Sequence, residues 1–252
     1  MMRISDTVKH LIIINVIMFV GTMFIGGGEL FREWFTMFFP KNDLFKPWQI
    51  ITHMFMHGGP SHILFNMFAL WMFGTPVEHY LGSKKFLFLY LSAGLGAVAL
   101  QMGYSFFVFY KDLDVLVNAG FDINQIYETL NTSIGMRDTR WDKFLPGEEL
   151  MSFLEAFNTG MVGASGCIMG VMVAFAMMNP NAELMMIFLP IPIKAKFFIP
   201  GIILIDLISG ITGQSIFSPS NTAHFAHVGG AIVGFIVMWY WKKTQFNKNR
   251  WN

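Results

Sequence analysis

The chain has 252 residues, of which 54% are hydrophobic and only 13% are charged, and its mean hydropathy is +0.50. Soluble chains carry about 25% charged residues, so this composition indicates a membrane protein and excludes an ordinary soluble domain. The formal net charge of +1 gives no reason to expect a nucleic-acid partner, and the single cysteine, Cys167, excludes an intrachain disulfide.

Six apolar runs follow one another along the chain. A helix that spans a bilayer needs about 20 residues, and the runs predict an all-α polytopic membrane protein with a bundle of six transmembrane helices. Residues 1–252 are expected to form a single membrane domain. The predicted spans lie at about 11–25, 62–80, 86–109, 161–178, 197–216 and 223–241.

The segments between the spans differ in character. Residues 28–60 form an aromatic-rich first loop, amphipathic around Glu29–Phe39, which is typical of a segment lying in the membrane interface. Residues 111–157 hold nine carboxylates against four Lys or Arg, and they predict a longer outward-facing insertion between the third and fourth spans. The apolar piece Leu184–Ile193, interrupted by two prolines, has the character of a strand.

The distribution of Lys and Arg predicts the orientation, because these residues are enriched in cytoplasmic loops. With six spans both termini lie on one side of the membrane, and the opposite side holds seven Lys or Arg. The side with the termini holds ten: Arg3, Lys9, Lys84, Lys85, Lys194, Lys196, Lys242, Lys243, Lys248 and Arg250. Both termini are therefore expected in the cytoplasm, with loops 28–60, 111–157 and 217–222 facing outward.

Polar residues lie near the start of the second, fourth and sixth spans, which all run from outside to inside. The fourth span opens with Gly163-Ala164-Ser165-Gly166, the second carries His62 and Asn66, and the sixth carries His227. At a rise of 1.5 Å per residue, each lies less than roughly 10 Å below the outer surface. Ionisable groups within spans are expensive and tend to face a cavity or each other, so the shared depth indicates one common site.

Two pairs of glycines predict how the fourth and sixth spans meet. Gly166 and Gly170 are four residues apart on one span, and Gly230 and Gly234 are four apart on the other. Such pairs let two membrane helices approach closely, so we expect the spans to cross there and to bring the histidine of one against the serine of the other. The alternative interpretation is that the glycines around the serine serve helix packing alone.

A serine hydroxyl is a poor nucleophile unless a base takes its proton, and histidine is the usual base. The predicted catalytic pair is therefore Ser165 with His227. Asn66, His62 and the backbone N–H of the serine are the predicted donors to an oxyanion. A triad would need a carboxylate behind the histidine. The sequence suggests none, because Asp206 is placed nearer mid-membrane on the fifth span and is expected to be a buried structural group.

The sequence resembles the rhomboid family of intramembrane serine proteases, of the six-span bacterial type. The resemblance covers nearly the whole chain apart from residues 111–157. It is carried by Trp48–His57, His62–Asn66, Val77-Glu78 with Leu81-Gly82, Gly163–Gly166, and Ala226-His227 with Gly230 and Gly234. It implies the nucleophile, base and oxyanion donors already named, and it adds His53 and His57 as supports of the first loop.

The resemblance also implies the setting of the reaction. The substrate would be a single-span membrane protein, cut near the outer end of its helix, and the partners would be such substrates and the lipid bilayer. The expected location is a bacterial cytoplasmic membrane. No cofactor and no metal are expected, and the oligomeric state stays open.

Three features depart from the family's pattern. Gln49 follows the loop tryptophan where the family often has an arginine that ties the loop to the end of the second span, so a different anchor is expected. Met169 stands where an aromatic residue often stacks on the catalytic histidine. The insertion at 111–157 is longer than the family minimum. It would gate access, contact substrate or be a neutral elaboration of the surface, and we favour the last of these.

Three other interpretations are weighed. A catalytically inactive relative should have lost Ser165 or His227, and both are present. A transporter or channel predicts ionisable groups throughout the bilayer depth, whereas here they cluster in its outer third, with Asp206 as the main exception. A metal site built from the histidines at 53, 57 and 62 lacks both an H-E-x-x-H pattern and a carboxylate ligand.

Overall fold

The computed structural model describes residues 3–186, 189–215 and 223–248, and most of these residues are helical. The predicted outer loop 217–222 and residue 216 lie outside the described residues. The helices are α1 (Asp6–Phe24), α2 (Glu29–Phe35), α3 (Gln49–Thr52), α4 (Pro60–Ala69), α5 (Thr75–Leu81), α6 (Ser83–Asn118), α7 (Ile123–Thr132), α8 (Glu148–Asn158), α9 (Ser165–Met178), α10 (Ala195–Thr212) and α11 (His224–Lys248). Shorter helical segments are the 3₁₀ turns Gly26–Gly28, His53–Phe55 and Thr139–Lys143, and a π-helical segment, Leu70–Gly74.

Four helices in the described part of the chain are long and apolar enough to cross a membrane. They are α1, α6, α10 and the His224–Thr244 portion of α11. The predicted second span is a composite of α4, the π segment and α5, and each piece is short by itself. The predicted fourth span begins at Ser165 rather than at residue 161, and its 14 residues form a shorter apolar helix. The two remaining predicted spans therefore do not meet the length criterion individually.

Helices α9 and α11 cross at their glycines, as the sequence predicts. A Cβ atom added to Gly234 would lie 2.5 Å from the Cα atom of Gly170, and one added to Gly230 would collide with the carbonyl oxygen of Gly166. Any larger residue at these positions would push the two backbones apart. The close approach is what allows side chains at the N-terminal ends of both helices to touch.

The opposite side of α11 packs on α6 in the same manner. A Cβ atom added to Gly96 would lie 2.9 Å from the carbonyl oxygen of Gly229, and one added to Gly229 would lie 2.9 Å from the Cβ of Leu100. The sixth predicted span is thus held between two helices at backbone distance. This fixes the position of its N-terminal end, which carries the two histidines of the site described below.

A small β-hairpin corrects the all-α description. Strands β1 (Glu183–Met186) and β2 (Leu189–Lys194) pair antiparallel, with Glu183 opposite Lys194 and Leu184 opposite Ile193. The strand character of this segment is therefore confirmed. Two prolines lie within β2, and a two-stranded hairpin tolerates them because each strand has an edge without a neighbour.

The insertion between the third and fourth predicted spans is a folded unit. Helix α6 has 36 residues, about 54 Å at 1.5 Å per residue, so it extends well past the roughly 30 Å hydrocarbon core. Its far end packs with α7, α8 and the first loop around a separate core: Phe39, Phe109, Leu113, Leu116, Ile126, Leu130, Trp141, Leu145, Leu150, Phe153, Leu154 and Phe157. Asn42 donates to the carbonyl of Phe157 at 3.2 Å, and the amide of Asp43 donates to Asn131 at 3.0 Å. The insertion is therefore joined to the first loop.

Gln49 anchors the first loop, where the family often has an arginine. Its side chain is fully buried. Its side-chain nitrogen, Nε2, donates to the carbonyl oxygens of Glu33 and Leu44 at 2.8 and 2.9 Å. Its side-chain oxygen, Oε1, accepts from the backbone amides of Lys46 at 3.0 Å and of Phe38 at 3.4 Å. The expected change of anchor is confirmed, because one neutral amide joins four backbone groups of the loop.

Glu78, near the end of the second predicted span, has a different partner from the one the family's arginine would supply. Its carboxylate accepts from the hydroxyl and backbone groups that open α1: Ser5 Oγ at 2.5 Å, and the amides of Thr7 and Val8 at 3.0 Å each. An anion is stabilised at a helix N-terminus because the first N–H groups lack helical partners. Glu78 therefore ties the second predicted span to the start of the first.

Candidate active site

Ser165 and His227 are in direct contact. Ser165 is the first residue of α9, and its Oγ lies 2.8 Å from the Nε2 atom of His227, a residue in the first turn of α11. Both side chains are partly exposed. The glycine crossing below them brings the two helix ends together, so the juxtaposition that the sequence predicts is confirmed. A hydroxyl that donates to a neutral imidazole is the starting geometry for general-base activation of a nucleophile.

The backbone before Ser165 is shaped by the first loop. The amide of Gly163 donates to the carbonyl of His53 at 3.0 Å, and Gly163 has φ +128°, a conformation that side chains other than hydrogen rarely adopt. A Cβ added to Gly163 would lie 2.9 Å from His62 Nε2 and 3.6 Å from Ser165 Oγ. The glycine is therefore required both by the turn and by the close approach of the His62 ring.

His62 presents an N–H toward this turn. The amide of Gly58 donates to His62 Nδ1 at 3.4 Å, so that nitrogen acts as the acceptor. In a neutral imidazole the proton then resides on the other nitrogen, Nε2. Because Nε2 and the serine Oγ both lie within 4 Å of the same point beside Gly163, His62 is in reach of charge that develops at the serine.

Asn66 and the start of α9 supply further donors. Asn66 lies one turn after His62 on α4, is buried, and its amide Nδ2 has no hydrogen-bond partner among the described residues. A buried donor without a partner is uncommon and calls for an explanation. No described side chain caps the start of α9, so its first N–H groups, beginning at Ser165, are also free to donate. These groups can stabilise an anion that forms at the serine.

Asp206 corrects the sequence-based expectation. The sequence places it nearer mid-membrane, on a predicted fifth span that runs to residue 216, whereas α10 ends at Thr212. Asp206 is therefore only six residues, about 9 Å, from that end. Its Oδ2 lies 3.0 Å from His227 Nδ1 and its Oδ1 lies 2.7 Å from His224 Nδ1. A carboxylate does lie behind His227, and the statement that the sequence offers none is wrong.

His224 is the residue that sequence reasoning missed. It is buried at the first turn of α11, and its Nε2 lies 2.8 Å from Ser215 Oγ while Nδ1 contacts Asp206. The signal that was available is its spacing: His224 and His227 are three residues apart, and residues at that spacing share one face of a helix. A second histidine on the face of the candidate base indicates a common partner.

The two loop histidines contact residues of the site, and their role as supports stays a prediction. His53 is buried, its Nδ1 contacts the carbonyl of Gln49 at 2.8 Å, and burial lowers its pKa to about 4. His57 is buried with its ring edge-on to His62, 5.0 Å between ring centroids, and burial together with that neighbour lowers its pKa to about 4. Both imidazoles are therefore neutral at pH 7.

The remaining sequence-based observations concern residues close to the serine. Cys167 and Met169 are both buried on α9, and the packing of Met169 against His227 stays a prediction. Among the described residues, no group of three His, Cys, Asp or Glu side chains is arranged to hold a metal ion.

Comparison with known proteins gives the class of protein. The family model described as "Rhomboid domain" matches residues 44–112 and 146–244, well over half of the chain, and leaves the middle of the insertion unmatched. The chain belongs to the rhomboid family. The four described helices that are long and apolar enough to cross a membrane, together with the family match, identify a multi-pass membrane protein.

Individual relatives match parts of the chain at 26–37% identity. The chain is 37% identical over 100 residues to rhomboid protease GluP of Bacillus subtilis (38% of this chain, 20% of that protein). It is 26% identical over 192 residues to presenilin-associated rhomboid-like protein A, mitochondrial, of Danio rerio (76% and 36%). It is 30% identical over 101 residues to rhomboid protease GlpG of Salmonella choleraesuis (40% and 37%). The matches thus span less than two fifths of each relative's own length.

Proposed function

We propose that the protein is an intramembrane serine endopeptidase, with Ser165 as nucleophile and His227 as general base. The observation that carries this proposal is the 2.8 Å contact between Ser165 Oγ and His227 Nε2 at the meeting point of two membrane helices. The names of two relatives, both called rhomboid proteases, support the same class of reaction.

The chemistry follows from the contacts around the serine. His227 accepts the hydroxyl proton as Oγ attacks the scissile carbonyl, and it then returns that proton to the leaving amine. The carbonyl oxygen becomes anionic and takes hydrogen bonds from Asn66, His62 and the backbone N–H of Ser165. Each such donor contributes about 10²–10³-fold to the rate in serine hydrolases. Water then hydrolyses the acyl-enzyme by the same base.

The substrate we propose is a single-span membrane protein, cut near the outer end of its transmembrane helix. The serine lies at the outer start of α9, and a regular helix hides its own carbonyl groups in internal hydrogen bonds. The scissile segment must therefore unwind before the serine can attack, and small or helix-breaking residues near the bond favour unwinding. The lipid bilayer is the other partner in this proposal.

The proposed arrangement in the membrane has six spans, with α9 and the α4–α5 composite as the two that are short. Both termini face the cytoplasm, and the first loop and the insertion face outward, in a bacterial cytoplasmic membrane. The excess of Lys and Arg on the side of the termini supports this orientation.

The test is cleavage of a fluorescent single-span substrate by the purified protein in liposomes. Wild type is compared with Ser165→Ala, His227→Ala and Asn66→Ala, and EDTA is added in parallel. Two matched controls are Ser209→Ala, a buried serine on α10, and His79→Ala, an exposed histidine on α5.

We expect both changes at the pair to reduce cleavage to background, Asn66→Ala to reduce it by about 10²-fold or more, and both controls and EDTA to leave it unchanged. Cleavage by Ser165→Ala at the wild-type rate would contradict the proposal. Flux of a solute or ion through the liposomes that survives Ser165→Ala would favour a transporter instead.

A further inference from the structure

Asp206 contacts two histidines at once, and only one of them touches the candidate nucleophile. Its carboxylate is buried, with Oδ2 at 3.0 Å from His227 Nδ1 and Oδ1 at 2.7 Å from His224 Nδ1. We propose that Asp206 is a positioning residue that completes a Ser165–His227–Asp206 triad, and that His224 holds its carboxylate in place. This inference rests on the proposed function, because it assigns a role within the same reaction.

The carboxylate determines which nitrogen of His227 carries the proton. An ionised carboxylate only accepts hydrogen bonds, so the Nδ1 atom that faces Asp206 must be the one that carries hydrogen. The other nitrogen, Nε2, then has a free lone pair, and it is this nitrogen that lies 2.8 Å from Ser165 Oγ. The geometry therefore selects the tautomer that can take the serine's proton.

The carboxylate also faces the charge that forms during reaction. When the proton moves from Ser165 Oγ to His227 Nε2, the imidazole becomes an imidazolium, with its Nδ1–H still directed at Asp206. The negative charge of the buried Asp206 carboxylate, at 3.0 Å, stabilises that cation directly. The proton later passes from Nε2 to the leaving amine, and Asp206 stays ionised throughout.

Helix packing indicates that this placement is built into the fold. Gly210 lies one turn after Asp206 on α10, and a Cβ added to it would lie 3.1 Å from the Phe225 ring and 3.3 Å from the Cβ of His224. The small residue lets α10 approach the start of α11. As residues four apart share a helix face, Asp206 is directed at the same part of α11, where the histidines are.

The second histidine has a separate task. A buried carboxylate with one hydrogen bond could rotate away from His227, and an unpaired charge within a membrane protein is costly. His224 occupies the other oxygen at 2.7 Å, and its own Nε2 contacts Ser215 Oγ at 2.8 Å. The carboxylate is therefore fixed from two sides, and its Oδ2 remains aimed at the base.

A purely structural role for Asp206, as a link between α10 and α11, predicts different results. Loss of a link lowers thermal stability and the yield of folded protein, and it leaves the turnover of the folded fraction unchanged. Loss of a positioning residue lowers kcat and the reactivity of the serine, and it leaves KM unchanged. The two roles are separated by measuring kcat, KM, thermal midpoint and the rate at which a fluorophosphonate probe modifies Ser165.

The variants are Asp206→Asn, which keeps the shape and removes the charge, Asp206→Glu, which keeps the charge on a longer arm, and His224→Phe, which removes the second donor. Ser209→Ala is the matched control on the same helix, because Ser209 is 1% exposed and its hydroxyl has no partner among the described residues.

We expect Asp206→Asn to lower kcat and the probe reaction at least 100-fold, with KM within threefold of wild type. Asp206→Glu should recover at least tenfold over Asp206→Asn, His224→Phe should lower kcat about tenfold, and the control should match wild type. If Asp206→Asn fails to fold, Asp206→Glu and His224→Phe give the answer, and wild-type kcat in both overturns the inference.

The outcomes separate this inference from the proposed function. If wild type cleaves, Ser165→Ala does not, and Asp206→Asn keeps kcat within threefold, the triad is wrong and the pair of Ser165 and His227 stands. If wild type neither cleaves nor reacts with the probe, or if Ser165→Ala cleaves as well as wild type, the proposed function fails and the triad fails with it.

Discussion

The crossing of α9 and α11 should control the active site from a distance, and Gly234→Ala tests this. Gly234 lies seven residues, about 10 Å, along α11 from His227. The added Cβ would lie 2.5 Å from Gly170 Cα and 2.6 Å from its carbonyl oxygen, whereas ordinary contact begins at 3.4 Å. These atoms belong to the backbone and cannot rotate away, and a tightly packed interior offers no space for the methyl group. The two helices must therefore separate by about 1 Å.

A separation of that size reaches the catalytic pair, because both helices are stiff and continuous between the crossing and the site. A displacement of about 1 Å between reacting groups lowers rates by about 10²-fold. Overpacking lowers stability by about 1–3 kcal/mol, so the protein should still fold. We expect Gly234→Ala to lower kcat about 100-fold, with the residual activity still dependent on Ser165.

The assay is cleavage of the fluorescent transmembrane substrate in liposomes, with the fluorophosphonate reaction of Ser165 as a readout that needs no substrate. Gly103→Ala on α6 is the matched control, because no atom lies within 4 Å of its added Cβ. The reasoning is refuted if Gly234→Ala folds and retains the wild-type kcat, since the crossing would then not set the contact between serine and histidine.

Three further predictions concern the loop that supports the site. Gly163→Ala should lower kcat at least 100-fold at unchanged fold, measured by cleavage, because its φ is +128° and its Cβ would press on His62 Nε2 from 2.9 Å. Gln49→Leu should lower the thermal midpoint in detergent, because each buried backbone group left without its partner costs about 1–3 kcal/mol. The pKa of His53 and of His57 is about 4 in the fold against 6.5 in an unfolded chain, so the stability they contribute is complete above pH 6.5 and is lost as pH falls toward 4. Unfolding followed as a function of pH should show a loss of roughly 2 kcal/mol per histidine by pH 5, and His57→Phe should remove about half of it.

Each of these predictions has a matched control and an outcome that contradicts it. Gly58→Ala is the control for Gly163→Ala, because a Cβ added to Gly58 would lie at an ordinary contact distance, 3.9 Å, from His62 Nδ1. Equal activity of the two glycine variants would contradict the requirement for glycine in the turn at Gly163. Gln125→Leu replaces an exposed glutamine and is the control for Gln49→Leu. Equal thermal midpoints for the two variants would contradict the role of Gln49 as the anchor of the first loop. Stability that stays level between pH 7 and pH 5 would show that the loop histidines are not buried in the neutral form.

The sequence is most informative where spacing alone determines contact. The pairs Gly166–Gly170 and Gly230–Gly234 are four residues apart on apolar helices, and this spacing predicts a close crossing without knowledge of anything else in the fold. The shared depth of Ser165 and His227 then follows from counting residues from the start of each span. These inferences succeed because helix geometry converts position in the chain directly into position in space.

The role of Asp206 could not be predicted, because it depends on where α10 ends. The predicted span runs to residue 216, across Gly213-Gln214-Ser215, and this extension places the carboxylate about 6 Å too deep. Helix boundaries are set by local hydrogen bonding and by glycines such as Gly213, which has φ +69°.

The sequence predicts where the insertion and the first loop lie in the chain, but it does not predict that they pack against each other. Their composition predicts segments outside the membrane, and residues 111–157 are interpreted as a neutral elaboration of the surface. The contacts of Asn42 with Phe157 and of Asp43 with Asn131 join residues that are far apart in sequence, and no local pattern encodes such pairs. The insertion therefore contacts the first loop, and the carbonyl of His53 in that loop accepts from the amide of Gly163. The composition of the insertion does not indicate this connection.

The central claim is that His227 activates Ser165 as a nucleophile, and the most direct measurement maps where a fluorophosphonate probe becomes attached. Wild-type protein in liposomes is treated with the probe, digested and analysed by mass spectrometry, alongside His227→Ala and the control His79→Ala. The account predicts one adduct, on Ser165, in wild type and in the control, and at most a trace in His227→Ala. An adduct on another serine, or equal modification of Ser165 with and without His227, would contradict it.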